Sequence, residues 1–157
     1  MKQNSHLYDF TEQYFEENNK EPWKWNFFGF YVNKFIPPKK LEKARRVYAS
    51  YNIKEEIPLM LIDDTVLFNS KRGMLITNVR IYYRLYPVDL KGPNVMGKIE
   101  LKDTKEMVLT KFMDRAWVLI NGHKVGVLIG VGGPPEGRIE ILNDYFDKLL
   151  QEIHQNF

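Results

Sequence analysis

The sequence predicts an α+β, mainly β domain, and three observations carry that expectation. Eight short β-type runs separated by turn residues fill the stretch from Pro58 to Gly130, the periodicity switches to about 3.6 residues from Ile139, and an aromatic, partly helical segment precedes both. A chain of 157 residues with 44% hydrophobic and 27% charged side chains has the size and composition of one globular domain with a real core. Composition divides it into an N-terminal extension, residues 1–56, and a β-rich domain, residues 57–157.

In chain order, Tyr8, Phe10, Tyr14 and Phe15 recur at roughly helical spacing with Glu12, Glu16 and Glu17 between them, which predicts a short helix over about 6–18. Trp23, Trp25, Phe27 and Phe28 follow, with Lys24 among them. So much apolar ring surface needs a cover: the first reading is an extension docked on the main domain or on a partner subunit and the second an interfacial anchor, and these four are the candidate partner- or membrane-binding residues. Pro37-Pro38 then opens a second helix over Lys39–Asn52, with Leu41, Ala44, Val47, Tyr48 and Tyr51 on one face and Lys40, Lys43, Arg45 and Arg46 mostly elsewhere.

The β-type runs are Pro58–Ile62, Thr65–Phe68, Gly73–Thr77, Arg80–Tyr86, Gly97–Lys102, Glu106–Lys111, Arg115–Ile120 and Lys124–Gly130. Tight turns between consecutive runs require antiparallel pairing, because parallel neighbours need a long crossover. Asn121-Gly122 accepts the positive φ angles of a type I′ turn and marks the clearest hairpin. Residues 91–96 form the longest internal loop, and the glycine- and proline-rich stretch 130–137 leads from the last run to the C-terminal helix. There Leu142, Tyr145, Phe146, Leu149, Leu150 and Ile153 make one apolar face, while Asn143, Asp144, Lys148, Gln151 and Glu152 make the opposite, polar one.

Seven or eight antiparallel strands closed by a C-terminal amphipathic helix resemble the pleckstrin-homology-like superfold, in which a bent sheet closes on itself except at one corner plugged by the helix. Locally, Arg72-Gly73-Met74-Leu75-Ile76-Thr77-Asn78-Val79-Arg80-Ile81-Tyr82-Tyr83 is similar to the glycine, aliphatic strand, Thr-Asn turn, basic residue and aromatic strand of bacterial pleckstrin-homology-like and GRAM-like domains. Ile62 to Lys71 resembles the first hairpin of such domains, and the likeness spans residues 57–155. It implies a barrel or sandwich capped by the last helix. It also implies a basic ligand site at the first hairpin, where Lys71, Arg72 and Lys98, with Lys111, are the candidate ligand-binding residues. The superfold hosts lipid binding, peptide binding and scaffolding alike, so it fixes no function by itself.

No catalytic residues, metal ligands or cofactor are expected. His6, His123 and His154 share no metal-ligand spacing, and the absence of cysteine removes thiolate chemistry and disulfides. Asp63-Asp64 could suggest a divalent-cation site, but adjacent residues of a strand point to opposite faces and turn chemistry accounts for the pair. Gly130-Val131-Gly132-Gly133 lacks the Lys-Ser/Thr of a phosphate loop, and Pro134-Pro135 removes two N–H donors. Ser5, Ser50 and Ser70 stand in no nucleophile elbow. A net charge of +3 falls short of a nucleic-acid signature. The start of the chain lacks a secretory h-region, and nowhere do eighteen apolar residues run together, so the expected location is the cytoplasm.

The functional expectation is therefore a non-catalytic binding or scaffolding module. It recognises a protein, or a second copy as a homodimer, through a sheet edge or the aromatic N-terminal segment. Peripheral binding to anionic lipid is the alternative, with Lys24, Lys39, Lys40, Lys71 and Arg72 supplying charge. On this expectation, residues 1–36 are removable without unfolding the domain.

Overall fold

A computed structural model of the chain describes residues 2–17, 29–52, 54–65, 71–130 and 137–156. Helix α1 spans Lys2–Glu17, α2 spans Pro38–Val47 and α3 spans Arg138–Asn156. Eight strands run in chain order: β1 Phe30–Val32, β2 Pro58–Asp63, β3 Gly73–Thr77, β4 Arg80–Leu85, β5 Val95–Glu100, β6 Met107–Phe112, β7 Arg115–Ile120 and β8 His123–Leu128. Short 3₁₀ turns occupy Asn33–Phe35 and Leu101–Asp103.

The strands form two antiparallel sheets, β1-β2-β3-β4-β5 and β6-β7-β8. A single bridge between Tyr86 and Val127 ties the end of β4 to β8. The α+β, β-rich expectation holds at that level; the arrangement is two linked sheets rather than a closed barrel. The close crossing demands a small residue. A Cβ on Gly126 would lie 2.6 Å from Leu85 Cβ and 2.9 Å from the Tyr86 carbonyl oxygen.

Alternation along the strands gives the large sheet two buried faces. Phe30, Val32, Met60, Ile62, Met74 and Ile76 point into the main core, shared with Leu7, Tyr14 and Phe15 of α1, the apolar face of α3 and the inner side of β6-β7-β8. Tyr31, Leu61, Leu75 and Tyr82 point the other way, beneath Ala44 and Tyr48 of α2 and its neighbours Ala49 and Tyr51. The core thus crosses the compositional division at residue 56, because α1 and β1 are part of it.

Several elements differ from the sequence reading. α2 stops at Val47 rather than Asn52: the Tyr48 and Ala49 amides both donate to the Ala44 carbonyl, closing the helix early, and Tyr51 is buried from extended chain. Thr65 lies outside any strand, and the rest of that expected run, 66–68, lies outside the described residues. β5 begins at Val95, inside the expected loop, and Leu101-Lys102 form a 3₁₀ turn. β1 has no counterpart in the expected runs; three residues carry too little period to register.

Part of the polar side of α3 meets α1, while Lys148 and Gln151 stay exposed. Tyr14 donates to Asp144 at 2.5 Å, His6 Nε2 lies 2.5 Å from Glu152, and the Thr11 and Tyr145 hydroxyls are 2.9 Å apart. α1 therefore packs along α3. Asn143 instead turns to β6, accepting from the Leu109 amide at 2.8 Å and donating to its carbonyl at 2.9 Å.

Candidate functional site

Strand β2 ends in the paired carboxylates, and the pleat sends them apart as expected. Asp63 accepts from Lys40 Nζ at 2.8 Å and from the Thr65 hydroxyl at 2.6 Å, fastening α2 to the sheet. Asp64 accepts from the Ile129 and Gly130 amides at 2.9 and 2.8 Å, while the Arg72 guanidinium donates to its carbonyl oxygen at 2.8 Å. Burial pushes the Asp64 carboxyl up to about 6, against the opposing pull of the Gly130 and Ile129 amides and of Arg72.

Two arginines complete this corner from the inside. Arg72 lies 3.7 Å over the Tyr86 ring, and Arg138, only 2% exposed, donates to the Gly130 carbonyl at 2.5 Å and lies over Phe30. Burial lowers Arg138 to about 10, with Asp64 acting in the opposite direction. The ends of β2, β3 and β8 and the start of α3 are joined by one carboxylate and two guanidinium groups. Nothing in the sequence pattern separates Arg138 from an ordinary first-turn residue, so its part in this corner was not legible.

A second buried acid organises the far end of β3 and β4. Glu56, 4% exposed, accepts from Thr77 at 2.7 Å and Tyr82 at 3.0 Å and pairs with Arg80, which also pairs with Glu100. The Thr77 hydroxyl in turn accepts from the Val79 and Arg80 amides, at 3.2 and 2.9 Å, and so closes the turn. The Tyr82 hydroxyl, followed by Glu100, raises the Arg80 pKa.

The candidate ligand residues do not share one place. Lys71 is exposed and Arg72 faces inward. Lys98 stands on β5 opposite Tyr82, in the row of Leu75. That row is four residues along and two strands across from Lys71, a separation of about 16 Å. Lys111 belongs to the other sheet. Trp23, Trp25, Phe27 and Phe28 lie outside the described residues. Among the described residues no group of three His, Asp or Glu side chains is placed to hold a metal ion, and no helix is long and apolar enough to cross a membrane.

The sheet edges differ sharply from one another. β1 is three residues long and buried throughout. The edge of β6 is met by Asn143, whose amide offers Leu109 the donor and acceptor of a neighbouring strand. β8 exchanges two backbone hydrogen bonds with Tyr86. Among the described residues β5 has no further strand beside it, and only its last carbonyl, that of Glu100, is met, by the Thr104 hydroxyl at 2.9 Å. Its six residues pair in unbroken register with β4, and Val95 and Met96 are 38% and 61% exposed. Strand edges of this kind expose a row of unpaired N–H and C=O groups that templates another strand. The sequence held a partial signal, since Val95-Met96 extends the β-type run at Gly97, but Pro93-Asn94 drew the boundary too late.

A second surface lies on α2, which carries five cations against the single carboxylate of Glu42. Lys40 is held by Asp63, and Arg45 lies over the Tyr51 ring, whereas Lys39, Lys43 and Arg46 follow one another at i, i+4 and i+7 with no ion pair among the described residues. Beneath α3 a small apolar hollow of about 10 Å³ is bounded by Ile76, Ile81, Leu101, Met107, Phe146, Leu149 and Leu150. A single water fills that volume, and an apolar lining gives it no partner.

Comparison with family models, with curated proteins and with solved structures finds no match to the chain.

Proposed function

We propose that the chain is a non-catalytic binding module that recognises a protein by accepting an extended segment along β5. The observation that carries this reading is the open edge itself. Among the described residues three sheet edges are short, capped or bridged, while β5 is regular, six residues long and begins with the exposed Val95 and Met96. Strand addition supplies main-chain hydrogen bonds for affinity and alternate side chains for selection. Each such bond contributes about 0.5–1.5 kcal/mol net, so a six-residue edge supports a reversible interaction.

Random-peptide display against the whole chain tests this reading. The expected peptides are extended and alternate apolar with polar residues, and they lose binding to the Val95→Lys variant, which places a charge on the edge. Peptides that bind the variant as well as the wild type would contradict it.

We also read β2–β8 with α3 as a pleckstrin-homology-like arrangement. Its support is a four-stranded meander followed by a three-stranded one and a C-terminal helix, with Thr77–Arg80 as the turn between β3 and β4. α1, β1 and α2 are additions to that pattern.

The second reading, adhesion to an anionic surface, is favoured by the row Lys39, Lys43 and Arg46. Near anionic lipid each cation contributes about 1 kcal/mol, and the apolar face of α2 is already spent on the sheet, so the row gives salt-sensitive adhesion without insertion. Flotation with phosphatidylserine vesicles, lost in a Lys39→Glu/Lys43→Glu/Arg46→Glu variant and at high salt, is the outcome that supports it.

A further inference from the structure

The register of β5 also says which segment fits its edge best. Val95, Gly97 and Ile99 pair with Leu85, Tyr83 and Ile81, which face the main core, so these three share the core face. Met96, Lys98 and Glu100 pair with Arg84, Tyr82 and Arg80 on the other face. Val95 stands at the margin of the apolar layer and is still 38% exposed, so the core face stops at this edge with part of a large apolar side chain uncovered.

We infer that the segment received by β5 is β5 of a second copy, paired antiparallel about a two-fold axis through Gly97 to give one continuous sheet of ten strands. The inference rests on the strand-addition reading and names its partner.

Any axis through a residue of β5 keeps the core faces of the two copies on the same side, and those through Gly97 and Lys98 pair the longest part of the strand, Val95–Ile99 and Met96–Glu100. An axis through Lys98 sets Lys98 directly against Lys98 of the partner subunit, an unfavourable like-charge pair. An axis through Met96 brings Pro93, which has no N–H, into the paired stretch. The axis through Gly97 avoids both. It sets Val95 against Ile99 of the partner subunit twice on the core face, and Met96 against Lys98 of the partner subunit twice on the outer face. The axial residue is the one without a side chain, and a Cβ on it would lie 2.4 Å from the Tyr83 hydroxyl.

A two-fold pairing is closed, because each copy covers the other's only open edge among those described. It also removes the exposed-edge liability that soluble proteins usually blunt with charges, bulges or proline. β5 carries charges only at Lys98 and Glu100, the latter paired with Arg80, and no bulge interrupts its register.

Sedimentation equilibrium on the whole chain, with Met96→Lys and Met96→Glu variants, tests the inference. Met96 is 61% exposed, so both substitutions leave the monomer folded, which circular dichroism verifies. The wild type is expected to form concentration-dependent dimers. Met96→Lys places two lysines opposite each other twice per dimer and weakens association, whereas Met96→Glu faces Lys98 of the partner subunit and strengthens it. Each change is roughly 2- to 30-fold in dissociation constant, and high salt shrinks the difference. A wild type that stays monomeric, or two variants that shift association in the same direction, overturns the inference. If the chain is monomeric yet displayed peptides still require an unmodified β5, self-pairing falls and strand addition stands. If the peptides also ignore β5, both fall.

Discussion

Asp64 and Arg138 show how a single side chain can hold a corner that no local pattern announces. Asp64 bonds to two amides that lie 65 and 66 residues further along the chain, a contact visible only once β2 and β8 lie side by side. Its carboxyl is raised to about 6 from an ordinary value of 3.8 by burial, so the folded protein holds this proton more tightly than the unfolded chain does. Any stability difference due to this group is therefore most favourable below pH 4, declines as pH rises through the interval between 4 and 6, and is constant above it. The wild type should accordingly lose up to about 3 kcal/mol relative to Asp64→Asn across that interval. Urea denaturation of both proteins at a series of pH values measures it, and parallel curves would show that Asp64 ionises at its ordinary value. By contrast the Thr77-Asn78 turn was legible from sequence, because a threonine hydroxyl accepting from amides two and three residues on is local chemistry.

At the scale of elements, what could be read depended on how far each pattern repeats. α3 runs long enough for its apolar face to be read in full, and β7 coincides with its expected run because turn residues bracket it on both sides. The hairpin at Asn121-Gly122 adopts positive φ at both positions, 51° and 77°, as its residues require. Amphipathicity tells polar from apolar but not solvent from a neighbouring helix, so the contacts of α1 with the polar face of α3 leave no mark in the pattern. Asn143, one residue of that polar face, serves as the cap of β6. Sheet-to-sheet linkage was equally hidden, since the bridge from Tyr86 to Val127 joins residues without sequence proximity. Gly126 is the residue on which that linkage depends. Gly126→Ala pushes a Cβ against Leu85 and the Tyr86 carbonyl and should cost about 1–3 kcal/mol, read as a lower urea midpoint at unchanged slope. Wild-type stability in this variant would mean that the two sheets are held together elsewhere.

For the whole molecule, the first helix belongs with the rest. Leu7, Tyr14 and Phe15 are 2%, 5% and 0% exposed, and burial of each contributes about 1.5–3 kcal/mol, which together rivals the entire stability of an ordinary domain. Composition left docking on the chain's own domain and on a partner both open, because aromatic surplus looks alike whether it awaits a partner or lines the chain's own core. A chain lacking residues 1–17 should lose its cooperative unfolding transition and bind hydrophobic dye. A truncated chain that retains both its near-ultraviolet spectrum and a sharp transition would show α1 to be dispensable. With α1 and β1 committed to the interior, the surfaces among the described residues that the proposed readings use are the edge of β5 and the cationic row of α2. Amide hydrogen exchange of the whole chain, with and without a peptide recovered by display, tests that conclusion most directly. Slowed exchange concentrated in residues 95–100, with the amides of α3 unchanged, is the result expected; unaltered exchange along β5, with protection arising elsewhere on the chain, would contradict it.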